Sequence, residues 1–199
     1  MRAFFLEFEV FVDAFWISTG VVALAEMGDK TQLLSLVLAA RFKRPWPIVA
    51  GILVATLLNH ALAGAVGAAV MAWVGPDVMR WILGVSFLAM AVWVLIPDKL
   101  GDDEADTGKH PWGVFAITAW VFFLAEMGDK TQIATVALGA QYANLVAVVA
   151  GTTLGMMLAN APVVFWGEAL TRRIPIRALH IVAAVIFFAL GLAVLWGAV

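Results

Sequence analysis

The sequence predicts an all-α integral membrane protein, with six transmembrane helices arranged as two inverted three-helix repeats. Three observations carry this. The 199-residue chain is 64% hydrophobic and only 13% charged, a balance far from that of a soluble domain. Its apolar residues fall into runs of about 20 residues or longer, enough to cross a hydrocarbon core of ~30 Å. The octapeptide from Ala25 to Gln32, AEMGDKTQ, returns letter for letter as Ala125 to Gln132.

The apolar runs span 13–40, 46–74, 78–96, 112–140, 145–170 and 176–196. Breaks fall at Lys43-Arg44-Pro45, at Gly75-Pro76-Asp77, in the linker 97–111, at 141–144 and at 172–175. Runs this long and uniformly apolar are helices rather than barrel strands. Arg2 is followed by Glu7, Glu9 and Asp13. That lacks the basic start of a cleaved signal peptide, so the first span is expected to be retained. Trp16, Trp46, Trp73, Trp81, Trp93, Trp112, Trp166 and Trp196 lie near run ends, as in an interfacial aromatic belt. Only Trp120 is expected to lie deep.

The repeat extends past the octapeptide. Ala50-Gly51 matches Ala150-Gly151, Phe87 matches Phe187, and Asn59-His60-Ala61 aligns near Ala159-Asn160-Ala161. The chain therefore divides into a first repeat (1–97), an acidic linker (98–110) and a second repeat (111–199). Three spans per repeat is an odd number, so the second repeat enters the membrane from the opposite side. Inverted repeats are a transporter architecture, with the site near mid-membrane where the repeats meet.

Lysine and arginine set the orientation. Arg41, Lys43, Arg44, Lys99, Lys109, Arg172, Arg173 and Arg177 fall on one side of the predicted spans, against Arg2 and Arg80 on the other. The positive-inside rule places the first set in the cytoplasm. The protein is then a multi-pass protein of the inner (cytoplasmic) membrane, with both termini outside the cytoplasm. The linker, with Asp98, Asp102, Asp103, Glu104 and Asp106, reads as a solvated cytoplasmic tether.

The octapeptides carry the chemistry. Each puts two carboxylates and a lysine into an apolar span, and a charge at a helix centre costs about 2.5–3.5 kcal/mol. On a regular helix Glu26, Asp29 and Lys30 share one face, as do Glu126, Asp129 and Lys130. Gly28 allows either close approach of another helix or local unwinding. If all groups are ionised, four carboxylates and two lysines leave a charge of −2, which one divalent cation balances. The donors are hard oxygens: carboxylates, the amides of Gln32 and Gln132, and the hydroxyls of Thr31 and Thr131. Such a set suits Ca²⁺, Mg²⁺ or Mn²⁺ rather than zinc or copper. Met27 and Met127 could add thioethers, but packing is the ordinary role of a methionine here.

Lys30 and Lys130 have two readings. They pair with Glu26 and Glu126 four residues back, or they take over the carboxylates when the cation leaves. Asn59 and Asn160 could face the site or bond between helices. His60 could relay protons, although a lone buried histidine is more commonly just hydrogen-bonded. Gly151 and Gly155 form a GxxxG helix contact rather than a phosphate loop.

The two motifs Glu26-Met27-Gly28-Asp29-Lys30-Thr31 and Glu126-Met127-Gly128-Asp129-Lys130-Thr131 resemble the signature E-x-G-D-[KR]-[ST] of the Ca²⁺:cation antiporter-2 family. That family includes the Golgi manganese/calcium transporters. The resemblance covers nearly the whole chain, without departure in either motif. It implies transport of Mn²⁺ or Ca²⁺ in exchange for protons, with Mn²⁺ export as in bacterial members. It also implies Glu26, Asp29, Glu126 and Asp129 as cation ligands, with Thr31, Gln32, Thr131 and Gln132 as adjacent donors. Lys30, Lys130, Asn59 and Asn160 are accessory.

The expected partners are a divalent cation, protons and the lipid bilayer, with a homo-oligomer left open. No basic patch suits nucleic acid, and no resident cofactor is implied. The rival readings are a Ca²⁺/H⁺ antiporter at the same site, a passive cation channel, and an acid-dyad enzyme. Buried lysines oppose an open cation pore. Four carboxylates in symmetric copies fit a dyad poorly.

Overall fold

A computed structural model describes residues 2–96, 113–167 and 176–197. All its regular elements are helices: α1 (Arg2–Glu26), α2 (Lys30–Phe42), α3 (Pro45–Trp93), α4 (Val114–Glu126), α5 (Lys130–Gln141), α6 (Leu145–Trp166) and α7 (Ile176–Leu195). The acidic linker, Trp112, Glu168, Arg172 and Arg173 lie outside the described residues. α1 from Phe8 onward, α3 and α6 are each long and apolar enough to cross a membrane.

The helix boundaries depart from the sequence expectation in two places. α1 begins at Arg2 rather than near residue 13, because no Gly or Pro interrupts residues 2–12 and a helix carries exposed acids such as Glu9 without penalty. The first and fourth apolar runs are each two helices, split inside the octapeptide. The second and third runs both lie in α3 and meet at a kink where the break was expected, so α3 is two helical segments. There Gly75 takes φ 76° and ψ 171°, and Pro76 follows. A left-handed glycine and a residue without an N–H interrupt the hydrogen-bond ladder at one point. The expected break at 141–144 is present, and Asn144 starts α6 by accepting from the Ala147 N–H at 3.0 Å.

Apolar side chains gain little by leaving lipid for one another, so small residues and close backbones decide helix contacts in a membrane. The glycines here do this in matched pairs. A Cβ on Gly51 would lie 2.8 Å from the Phe115 carbonyl oxygen and 2.8 Å from Thr118 Cβ. A Cβ on Gly151 would meet the same two atoms of Phe15 and Ser18. α3 therefore packs on α4 as α6 packs on α1, with every number shifted by one hundred. Gly155 continues the second contact against Thr19, as a GxxxG face should. The rings of Phe87 and Phe187 meet with centroids 6.2 Å apart. Gly84 and Gly191 each lie close to the other's carbonyl. Trp46, Trp73 and Trp196 are among the most exposed apolar side chains, and Trp120 also faces outward.

Candidate cation site

Each octapeptide breaks its helix. α1 ends at Glu26 and α2 starts at Lys30; α4 ends at Glu126 and α5 starts at Lys130. Gly28 and Gly128 have φ of 85° and 78°. A Cβ on Gly128 would meet nothing within 4 Å, so this glycine serves unwinding rather than helix approach. The Asp29 and Asp129 N–H groups reach back to the Glu26 and Glu126 carbonyls at 3.0 and 3.2 Å. The exposed N–H of each glycine is taken by the glutamine four residues on, Gln32 at 2.9 Å and Gln132 at 2.7 Å. The glutamines then tie each break to the opposite half. Gln32 Nε2 donates to the Ala159 carbonyl at 3.0 Å, and Gln132 Nε2 approaches Asn59 Oδ1 at 3.5 Å. Their amide oxygens thus brace the backbone in this structure.

Asp29 and Asp129 sit at the N-cap positions of α2 and α5 with extended backbone, yet neither side chain caps its helix. The single-face geometry of a regular helix does not apply, and the lysine pairing changes with it. Two ion pairs among the described residues cross between the motifs. Lys130 Nζ lies 2.6 Å from Asp29 Oδ1, and Lys30 Nζ lies 4.0 Å from Asp129 Oδ1. The break shifts each lysine out of register with its own glutamate and toward the opposite motif.

Glu26, Glu126 and Asp129 converge. Each offers an oxygen within 4.8 Å of the others, and all three are buried. Oxygens so spaced can share one ion with bonds of about 2.0–2.6 Å. At that separation two carboxylates repel by about 3–4 kcal/mol, even at an effective dielectric constant of 20. Such a cluster calls for countercharge from a divalent cation or from protons. The fourth expected ligand, Asp29, is not in this group, because Lys130 holds it. The glutamates are oriented by neutral donors. Asn160 Nδ2 donates to Glu26 Oε1 at 3.1 Å, and Thr131 Oγ1 donates to Glu126 Oε2 at 2.8 Å. Thr31 is also wholly buried.

A family model described as divalent cation/proton antiporter GDT1 matches residues 14–102 and 114–199. The chain belongs to the GDT1 family. Among its relatives, a protein of Vibrio cholerae named "Putative manganese exporter" is 52% identical over 89% of this chain and 88% of its own length. A GDT1-like protein of Synechocystis is 25% identical over 88% of this chain and 93% of its own length. GDT1-like protein 3 of Arabidopsis thaliana is 26% identical over 88% and 68%. No solved structure matches. A GDT1 protein is a membrane transporter of divalent cations, not an enzyme.

Within this GDT1 chain, several polar residues do more, or less, than their letters suggest. Asn160 joins the site, while Asn59 Nδ2 donates to the Phe123 carbonyl at 3.0 Å, between helices. Met127 is 57% exposed, which removes it from the ion's surroundings. Two residues escaped the sequence reading. Ser35 Oγ donates to Asn160 Oδ1 at 2.8 Å, fixing the amide that holds Glu26. Its signal was its place on the face of Gln32, one turn later. His180 Nε2 lies 2.8 Å from the Met27 carbonyl, which the break in the first motif frees. Nothing in the local sequence marks His180 for that contact.

Proposed function

We propose that this protein exports divalent cations, Mn²⁺ first among them, from the cytoplasm in exchange for protons. The transporter crosses the membrane six times as two inverted repeats, 1–97 and 111–199, joined by a cytoplasmic linker, with both termini outside. Alternating access moves the halves around one site. Glu26, Glu126 and Asp129 bind the ion, and Asp29 joins when Lys130 lets it go. Thr31, Gln32, Thr131 and Gln132 support the break and the carboxylates. Lys30 and Lys130 neutralise the acids when the ion has left.

The observation that carries this reading is the convergence of Glu26, Glu126 and Asp129, drawn from both motifs, in a buried group. Carboxylates bind either a divalent ion or protons, and that competition is what an exchanger needs. The matched contacts offset by one hundred support the inverted arrangement. The name of the Vibrio relative favours manganese. Hard oxygen donors also suit Ca²⁺, which keeps a Ca²⁺/H⁺ exchanger as the second reading.

The test uses proteoliposomes holding a pH dye and a metal-sensitive dye. An inward Mn²⁺ gradient is expected to drive Mn²⁺ in and protons out, with flux that saturates. Mn²⁺ movement without proton movement would sink the exchange, and unsaturable flux would favour a channel. A response to Ca²⁺ but not Mn²⁺ would select the second reading.

A further inference from the structure

The amide that orients Glu26 also holds a sulfur. Asn160 Nδ2 lies 3.1 Å from Glu26 Oε1 and 3.0 Å from Met156 Sδ. A single nitrogen therefore joins the thioether to a carboxylate of the cation site. Met156 is wholly buried.

The fold places it there. Met156 stands one turn before Asn160 on α6, so the two side chains share a face. Its neighbour Gly155 lets α6 close on α1. A Cβ on Gly155 would lie 2.6 Å from the Thr19 carbonyl oxygen and 2.9 Å from the Ala23 nitrogen. α6 thus follows α1 in the same direction, from Gly151 beside Phe15 to Asn160 beside Glu26.

The amide is held firmly and the sulfur loosely. A carboxylate only accepts, so the nitrogen of Asn160 must be the atom that faces Glu26. Its oxygen accepts from Ser35 at 2.8 Å and cannot turn toward an ion without losing that bond. The nitrogen carries two hydrogens and has three neighbours: Glu26 Oε1, the Met156 carbonyl at 3.2 Å and the Met156 sulfur. Thioether sulfur is a weak acceptor. The two oxygens can take both hydrogens, so the sulfur leaves the amide at little cost. Three rotatable bonds give the side chain the freedom to do so.

Only one half supplies this group. One hundred residues earlier, Thr56 stands in place of Met156. The chain has no cysteine, and Met127 is exposed.

We propose that the Met156 sulfur is a ligand of the loaded site and gives it a preference for Mn²⁺ over Ca²⁺ and Mg²⁺. This rests on the cation site proposed above. The carboxylates alone discriminate poorly, because hard oxygens suit all three ions. A thioether is soft and neutral. A transition-metal ion gains from it, whereas Ca²⁺ and Mg²⁺ are hard and gain more from oxygen. Being neutral, the sulfur adds selectivity without changing the charge that the ion must balance.

Met156→Leu tests this, because it nearly conserves volume and apolar character while removing the sulfur. Binding is read by isothermal titration of the full-length protein in detergent with Mn²⁺, Cd²⁺, Ca²⁺ and Mg²⁺. Cd²⁺ is the most thiophilic of the four. Mn²⁺ affinity is expected to fall about tenfold and Cd²⁺ affinity further, with Ca²⁺ and Mg²⁺ unchanged within about twofold. A methionine that only packs would shift all four ions alike, and that result would overturn the proposal. So would four unchanged affinities. X-ray absorption of the Cd²⁺-loaded wild type needs no substitution and serves should Met156→Leu fail to fold. One sulfur bound to the ion is expected, and a shell of oxygen alone would overturn the assignment. Failure of the wild type to bind any of the four ions would instead defeat the cation site on which the sulfur's role rests.

Discussion

Glu126→Gln is expected to abolish metal-coupled flux while leaving the metal-free protein as stable as before, or more so. The two effects have opposite electrostatic origins. Glu126 shares a buried group with Glu26 and Asp129, all within 4.8 Å. Without an ion their charges repel, and a neutral amide of the same shape relieves this. The glutamine oxygen can still accept from Thr131, so the local hydrogen bond survives. With an ion the loss dominates. Affinity should fall by on the order of a hundredfold, ~2.7 kcal/mol, for one shielded charge contact removed. Thermal unfolding in detergent, with and without Mn²⁺, would read both effects. The metal-induced rise in Tm should vanish while the metal-free Tm holds. Glu26→Gln should behave alike, with Asn160 as its partner. A variant that transports normally would remove Glu126 from the ligand set.

Lys130→Met is expected to be among the most destabilising single substitutions in the chain. Lys130 lies 2.6 Å from Asp29, and both side chains are shielded from solvent. Removing one member of a buried pair leaves an uncompensated charge, at a cost of about 3–5 kcal/mol. Lys30→Met should cost far less, about 1 kcal/mol or below. Its pair with Asp129 is 4.0 Å long and the lysine side chain is 18% exposed. The double variant Lys130→Met with Asp29→Asn should regain most of the loss, because no lone charge then remains. Unfolding of the four proteins in one detergent would decide it. Equal losses for the two lysines, or no rescue in the double variant, would contradict this account of the pair.

Much of this arrangement was legible in the letters. Charged groups are rare in apolar spans, so the octapeptides identified themselves. Their separation of one hundred residues also set the numbering of the contacts: Gly51 and Gly151, and Phe87 and Phe187, pack as their matched positions imply. The helix break was legible only as one of two roles for Gly28, because a glycine in a membrane helix serves close approach as readily as unwinding. The choice depended on what surrounds it. The cross-motif lysine contacts were not legible for the same reason. Spacing of four predicts Lys30 beside Glu26 only while the helix continues, and the break turns each lysine toward the other motif. The break at Gly75-Pro76 was legible as a boundary, since a left-handed glycine before a proline interrupts any helix.

The most direct measurement is anomalous diffraction at the manganese edge from crystals grown with Mn²⁺. One strong peak is expected between the motifs, with oxygens of Glu26, Glu126 and Asp129 within about 2.0–2.6 Å of it. A peak bound by one motif alone, or no peak between them, would contradict the claim that both halves hold one ion.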